Sequence, residues 1–444
     1  MPGTVPTADV YFDYATSDGT AISTGPAADF VAASGTTFIP ANSLSTPVSI
    51  TITGDDVPED HETFAVTLSN QVCTCGLVTI LDPIGIGTIW NDDAIQPGQL
   101  LISEFRSNGP GGGLDEFIEI ANTTSNPLTV GATDLSAGFS VWASNGSKLF
   151  RIPNGTTIPA KGHYLAANSA YSLANYGGTL AAQQDRAFLA DLLPDTGIAL
   201  FEGDSPSATK LDAAGFTSDV APYVEGTGLT LIGGPIATQH SWVRRYTYGL
   251  NAGLQDEVPQ GDGNLDDFAL IAVDAGLYGS TNAVLGGPSP ENLNAETELN
   301  NLQLTMSSPD GSGLFTPGPP KTLEFPRRFT NNTLATFTFL RFKVSTLTTV
   351  NNNASGAQAD LRPTSSVNLA IGPNTYKGLT LEDAAPGFTY PLVLGILPNG
   401  GLNSSLRYPL PLSLTPGSSV DVNLKVEYTS SGKPAFYWLV PEAK

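Results

Sequence analysis

The chain has 444 residues, room for roughly three domains at about 150 residues each. Asp and Glu number 42 against 19 Lys and Arg, a net charge of −23, so no basic surface is available to neutralise phosphates and nucleic-acid binding is not expected. Charged residues make up only 14% while Gly (47) and Pro (34) are plentiful, which fits short strands joined by many turns rather than long helices. An acidic surface of this kind keeps a protein soluble and draws divalent cations as counterions. No run of about 18 apolar residues is present, so no membrane-spanning helix is expected. No charged-then-apolar leader opens the chain; an exported protein would have had it removed or carried it upstream.

The first unit runs from Val10 to Asp93. Apolar and polar residues alternate in Val10-Tyr11-Phe12-Asp13-Tyr14 and in Val48-Ser49-Ile50-Thr51-Ile52, the period of a half-buried strand. Acidic turns lie between: Asp29, Asp55-Asp56, Glu59-Asp60 and Asp92-Asp93. A β-sandwich gathers loops of different strand pairs at one end. Carboxylates collected there suit a hard cation such as calcium, which takes about six to eight oxygens. Gly85-Ile86-Gly87 sits inside a strand pattern, so it reads as strand and not as a phosphate cradle. Cys73 and Cys75, the only cysteines, point to one strand face. A bond between them would be strained, and two ligands fall short of zinc's usual four, so they are expected to be two small residues near a strand end. The chain is thus no disulfide-stapled scaffold.

DYATSDGTA, the later Asp29-Phe30, the GDD-x-x-E-D-x-E-T-F run and the terminal NDD resemble the Calx-beta domain over about residues 8–93. The resemblance implies an immunoglobulin-like sandwich and, in some members, calcium held by acidic loops. Carried over, Asp29, Asp56, Asp60, Asp92 and Asp93 are the candidate calcium ligands. A further acidic ligand from that family's first strands has no counterpart here, and only MPGTVPTAD precedes the strand at Val10, too little for two strands and a turn. Three readings follow: the chain is a fragment, other residues of this chain rebuild the domain, or a strand from a neighbouring copy fills the gap.

After a polar AIQPGQ, the segments LLISEF and DEFIEI alternate as strands on either side of a Gly-rich loop. With RIPNGTTIPAKGHYLAANS, DTGIALFEGD and LDAAGF they resemble the lamin-tail domain over about residues 100–268, which implies a second immunoglobulin-like sandwich used for binding or anchoring. Glu104, Asp115, Glu116 and Glu119 form an acidic group of the kind glycosidases use. In lamin-tail domains such positions tie loops to backbone amides, and that role is expected here. Gly261 to Phe268 begins like a calcium loop but lacks the Gly and the terminal Glu of an EF-hand, so a structural turn is expected.

Residues 271–298 read as a linker. Beyond it, FTFLRFKV, VDVNLKVEY and AFYWLV alternate as strands. RRFTNNTLATFTFLRFKV, ADLRPTSS, GGLNSSL and LTPGSSVDVNLKVEY resemble a C-terminal β-sandwich module of large bacterial secreted proteins, over about residues 300–444. The expected architecture is all-β, three tandem immunoglobulin-like β-sandwiches with short linkers and little helix: residues 1–94, 95–270 and 299–444.

No G-x-S-x-G elbow, H-E-x-x-H, P-loop or Rossmann fingerprint occurs, and His61, His163 and His240 are scattered and read as surface residues. No enzyme is expected. The sequence points to an extracellular or cell-surface structural or adhesive protein whose copies form an oligomer or polymer by β-strand pairing, with cell-surface or matrix components as partners. A calcium-stabilised ligand-binding adhesin module and a non-catalytic accessory region of a larger secreted enzyme are the alternatives.

Overall fold

The computed structural model describes residues 5–25, 28–54, 62–89, 94–174, 182–247, 253–256, 263–273, 276–300, 302–307, 316–317, 322–347, 361–382, 401–428 and 437–444. Their regular structure is nearly all β, as expected, with one helical turn. Among them no helix is long and apolar enough to cross a membrane. The chain divides into two compact units, Met1–Ala94 and Ile95–Lys444.

The first unit is built on β1 (Val10–Asp18), β2 (Ser34–Ile39), β3 (Glu62–Cys73) and β4 (Ile84–Ile89). They form one antiparallel sheet in the order β2-β1-β3-β4. The alternation of the sequence sets its two faces. Val10, Phe12 and Phe64 turn inward, and Tyr11, Phe38, Ile84 and Ile86 turn outward. Phe30 stacks on Phe64 with ring centroids 4.7 Å apart. Opposite Phe64 stands Gly87, where a Cβ would lie 2.5 Å from the ring, so only glycine leaves the room. The expected strand at Val48 to Ile52 is reduced to a bridge between Ile52 and Phe30, with Val31 N–H donating to Thr51 O (2.9 Å) and Thr53 N–H to Asp29 O (2.8 Å). This layer covers little. Among the described residues Val10 and Phe12 are buried, and Ala21, Phe30 and Phe64 form a buried cluster with Ile50, Val66 and Ile89 packed against it. Leu44, Val72, Leu77, Leu81 and Ile86 all stay more than 60% exposed. Contrary to expectation, Cys73 and Cys75 are joined in a disulfide; residues 73–76 turn tightly enough after β3 to bring the two sulfurs together.

The second unit opens with β5 (Leu100–Arg106), β6 (Phe117–Asn122), β7 (Leu128–Thr129), β8 (Gly138–Ala143), β9 (Lys148–Pro153), β10 (Thr157–Ile158), β11 (His163–Ala167), β12 (Arg186–Ala187), β13 (Ile198–Phe201), β14 (Lys210–Ala214), β15 (His240–Arg244), α1 (Asn264–Asp267), β16 (Phe268–Ala272), β17 (Gly276–Tyr278) and β18 (Thr281–Leu285). An eight-stranded sheet, β12-β11-β6-β5-β15-β16-β18-β17, faces a four-stranded one, β14-β13-β8-β9. Ile102, Ile118 and Ile120 of the first sheet meet Phe139, Val141 and Leu200 of the second in a continuous core. The expected linker at 271–298 is not a free tether. Its β17 and β18 extend the eight-stranded sheet, because Ile271, Ala283 and Leu285 are apolar and bury there.

The rest of this unit holds β19 (Thr297–Glu298), β20 (Leu304–Ser307), β21 (Thr316–Pro317), β22 (Thr322–Asn331), β23 (Leu340–Leu347), β24 (Leu361–Thr364), β25 (Leu369–Ile371), β26 (Asn374–Gly378), β27 (Thr380–Glu382), β28 (Ser405–Arg407), β29 (Ser419–Tyr428) and β30 (Tyr437–Ala443). A five-stranded sheet, β19-β30-β23-β28-β27, packs on a seven-stranded one, β20-β22-β29-β26-β25 with β21 also paired to β22 and β24 to β29. Leu340, Phe342 and Leu406 close against Phe329, Val422 and Leu424. Between the outward faces of the eight-stranded and five-stranded sheets lies a buried layer of charged side chains, and that layer is the most unusual chemistry in the second unit.

Candidate functional site

Of the candidate calcium ligands, Asp56, Asp60, Asp92 and Asp93 lie outside the described residues. Asp29 is buried at 9% exposure, and its Oδ2 accepts from the Ile22 backbone N–H at 2.7 Å while its own N–H donates to Ile22 O at 2.9 Å. It therefore fastens the loop before Phe30. A carboxylate with one oxygen so engaged still has a second as a hard donor, and the chemistry of Asp29 fits calcium to that extent.

A second acidic group was not foreseen. Carboxylate oxygens of Asp212, Glu225 and Asp256 lie within 4.8 Å of one another. The chain supplies its own cations to them. Arg244 Nη2 donates to both oxygens of Asp212 at 2.7 Å, and its Nη1 lies 3.6 Å from Asp256 and 3.5 Å from Asp267. Lys210 pairs with Glu225. The guanidinium also stacks 4.5 Å from the Phe268 ring centroid, and Arg244 Nε donates to Ile102 O. Burial pushes the Asp212 carboxyl well up against the pull of Arg244. These contacts make the group an ion-paired clamp joining β5, β14 and β15. Asn264, in the expected structural turn, completes it: its Oδ1 accepts from Gly215 N (2.9 Å) and Glu225 N (3.0 Å), and its Nδ2 donates to Ala213 O (2.9 Å).

The charged layer begins on β5, β6 and β11. A bulge in the β5–β6 pairing between Ile102 and Glu104 turns both Ser103 and Glu104 away from the core. Glu104 accepts from Ser241 Oγ (2.5 Å), Ser289 N (3.3 Å) and Asn403 Nδ2 (3.0 Å). Glu119 accepts from Glu291 N at 2.6 Å and from Ser103 Oγ. His163 Nδ1 lies 3.0 Å from Glu291 Oε2. From the five-stranded sheet come Arg341 and Lys343 on β23 and Glu442 on β30. Arg341 pairs with Glu291 and Glu442 and reaches Glu296 at 3.4 Å and Glu382 at 4.0 Å. Lys343 Nζ sits 3.6 Å from Glu291 and 3.7 Å from Glu442. All of these side chains are 6% exposed or less.

Protonation follows from burial and partners. Desolvation raises Glu104 and Glu119, and lifts Glu296 to about 7. Desolvation would also raise Glu442, but Arg341 and Lys343 hold it below its ordinary value. Burial alone would lower Lys343; Glu442 and Glu119 override it and keep the ammonium charged. His163 is lowered by burial. His163 and His240 are 3% and 1% exposed, so the expectation of surface histidines fails for both; each sits on the packed face or edge of a sheet. His61 lies outside the described residues.

Such a layer keeps its carboxylates almost wholly out of solvent. It can order two sheets relative to each other, since unpaired buried charge penalises any other arrangement. The remaining acids of the sequence-identified group tie loops to backbone amides. Asp115 accepts from Gly111 N (2.8 Å) and Ser172 N (2.9 Å) and pairs with Arg106. Glu116 accepts from Leu192 N (2.9 Å) and Asn168 Nδ2 (2.7 Å). Beside the layer a cleft of about 250 Å³ is lined by Leu101, Ala121, Lys161, His163, Leu254 and Glu298, and Tyr246 Oη donates to Glu298. The sequence reading missed Arg341 and Lys343. They occupy alternate positions of FLRFKV, a pattern that reads as a solvent-facing edge of a half-buried strand.

Residues 4–90 match the family described as the Calx-beta domain. No match is found among curated proteins. Among solved structures the chain is similar to the calcium binding domain CBD12 of CALX1.1, at 15% identity and a TM-score of 0.20, over 45% of this chain and 68% of that one. It is similar to CBD12 from CALX1.2 at 15% identity and a TM-score of 0.20, over 46% and 72%.

Proposed function

We propose that this protein is a non-catalytic structural or adhesive component of an extracellular or cell surface, whose copies associate by β-strand pairing through the first unit. One observation carries the reading. Among its described residues the first unit has one four-stranded sheet over a small core of five buried apolar side chains, Val10, Phe12, Ala21, Phe30 and Phe64, with Val72, Leu77, Leu81 and Ile86 largely in water. Exposed apolar surface and open sheet edges of this kind favour pairing with another chain. The second unit, by contrast, closes two sheet pairs over substantial cores and locks them with buried charge, which suits a rigid body that bears load. On this reading residues 95–270 act as a lamin-tail-like anchoring module and 299–444 as a terminal cap, with cell-surface or matrix components as partners. Sedimentation and negative-stain microscopy of the purified chain test it: assemblies that grow with concentration are expected, and a monodisperse monomer at every concentration refutes it.

A second reading is favoured by the Calx-beta match at residues 4–90. There calcium stiffens the acidic loops of a ligand-binding adhesin module. Asp29 would offer its free oxygen, with Asp56, Asp60, Asp92 and Asp93 as the other ligands. Calcium at about 100 times its dissociation constant adds about 2.7 kcal/mol to the stability of the state that binds it. The expected outcome is a higher unfolding midpoint in millimolar calcium, reversed by chelator and absent in Asp29→Asn. An unchanged midpoint in the native chain refutes calcium binding.

A further inference from the structure

We propose that copies join edge to edge, β4 of one copy pairing antiparallel with β2 of the next, so that the four-stranded sheets run head to tail into one continuous sheet. This rests on the assembly reading above and names its contact.

Three features of the first unit support it. Within that unit no described strand pairs with the outer side of β2 or of β4; the sheet ends at both. Each edge strand is six residues long, Ser-Gly-Thr-Thr-Phe-Ile and Ile-Gly-Ile-Gly-Thr-Ile, and neither contains a charge or a proline. Natural sheet edges usually carry a charge, a proline or a bulge that prevents pairing. Here the one register shift lies between β1 and β3, inside the sheet, and leaves both edges straight.

Strand direction provides the second feature. Every neighbouring pair in β2-β1-β3-β4 is antiparallel, so across four strands β2 and β4 run in opposite directions. Two copies in the same orientation therefore present edges of opposite sense, and placing β4 beside the next β2 continues the antiparallel alternation. The two surfaces are different, so the contact is heterologous. It leaves one β2 and one β4 unused at the ends and does not close by itself.

The third feature is the side chains. Phe38 on β2 and Ile84 and Ile86 on β4 stand on the same outward face, at 39%, 52% and 65% exposure. Faces match across the new contact only when even-numbered residues of one strand oppose even-numbered residues of the other. Placing Ile84 opposite Phe38 of the next copy satisfies this and makes an aromatic to β-branched cross-strand pair. On the inward face the same register sets Gly87 opposite Gly35, so no side chains collide there.

The test uses the full chain with one edge blocked at a time. Ser34→Glu with Phe38→Glu blocks β2, and Ile84→Glu with Ile86→Glu blocks β4. Thr36→Glu and Thr88→Glu, single changes at exposed positions, serve if a double variant loses its native circular dichroism. In sedimentation at about 0.15 M salt, where repulsion between acidic copies is screened beyond about 8 Å, each variant alone is expected to be monomeric. The equimolar mixture is expected to form dimers and nothing longer, since it offers one free β2 to one free β4. Long assemblies from either variant alone, or folded variants that stay monomeric when mixed, overturn edge pairing while leaving strand donation intact. A monomeric native chain overturns edge pairing and the assembly reading together.

Discussion

Replacing Arg341 by Met keeps an apolar stem of similar length and removes the cation on which Glu291, Glu296, Glu382 and Glu442 converge. Breaking one buried ion pair costs about 3–5 kcal/mol, because the partner is left charged and dry. Lys343 still reaches Glu291 and Glu442, and Arg407 reaches Glu382 at 3.2 Å, so the losses of the four acids do not simply add. A total of about 3–5 kcal/mol at pH 8 is expected. The sign of its pH dependence is fixed. Without Arg341 the folded-state pKa values of these glutamates rise above the unfolded value of about 4.3. A group raised in the folded state adds no deficit below its unfolded pKa and loses stability as pH climbs through its folded one. The deficit should thus be smaller near pH 5 than at pH 8, with Glu442, which Arg341 and Lys343 hold below its ordinary value in the native protein, keeping part of it there. Urea unfolding of both proteins at pH 8 and pH 5, followed by circular dichroism, measures it. A loss of the same size at both pH values would show that Arg341 acts through packing and not charge, and would refute the electrostatic account of the layer.

The native second unit should itself lose stability as pH rises from about 4 to about 8, since burial raises Asp185 to about 6, Glu296 to about 7 and Glu116 to about 8. Their contributions are fully present below their unfolded pKa values and decline through that window. Glu116→Gln, which stays neutral while keeping an oxygen for Leu192 N, should flatten the pH profile and exceed the native chain in urea midpoint at pH 9; an unchanged slope speaks against it. Asn264→Ala strands the Gly215 and Glu225 amides and the Ala213 carbonyl in a site with no solvent exposure, and should cost about 2–4 kcal/mol; a loss under about 1 kcal/mol would mean the turn relaxes to satisfy them.

Much of the fold can be read along the chain because strand formation is a local matter of alternation. Val10 to Tyr14, LLISEF, DEFIEI and VDVNLKVEY all become strands near their expected limits. Val48 to Ile52 alternates equally well yet makes only a bridge, since alternation says which face is apolar and not whether a partner strand is present. The tie between Glu116 and Leu192 N spans 76 residues, and still the acidic motif anticipates its kind of role. His163 and His240 mislead for the opposite reason: a lone histidine carries no local sign of burial.

The order of residues alone determined the β class, the small all-polar turns, the acidic character and the alternating faces of each strand, because these depend on neighbours two positions apart. Only the tertiary structure decided what each polar face would meet. Glu104 and Glu119 on one strand pair, and Arg341 and Lys343 more than 200 residues later, each look like the wet side of a sheet. Packed against each other they become a dry, ion-paired layer, since a charge can leave water only where an opposite charge from elsewhere in the chain arrives to receive it.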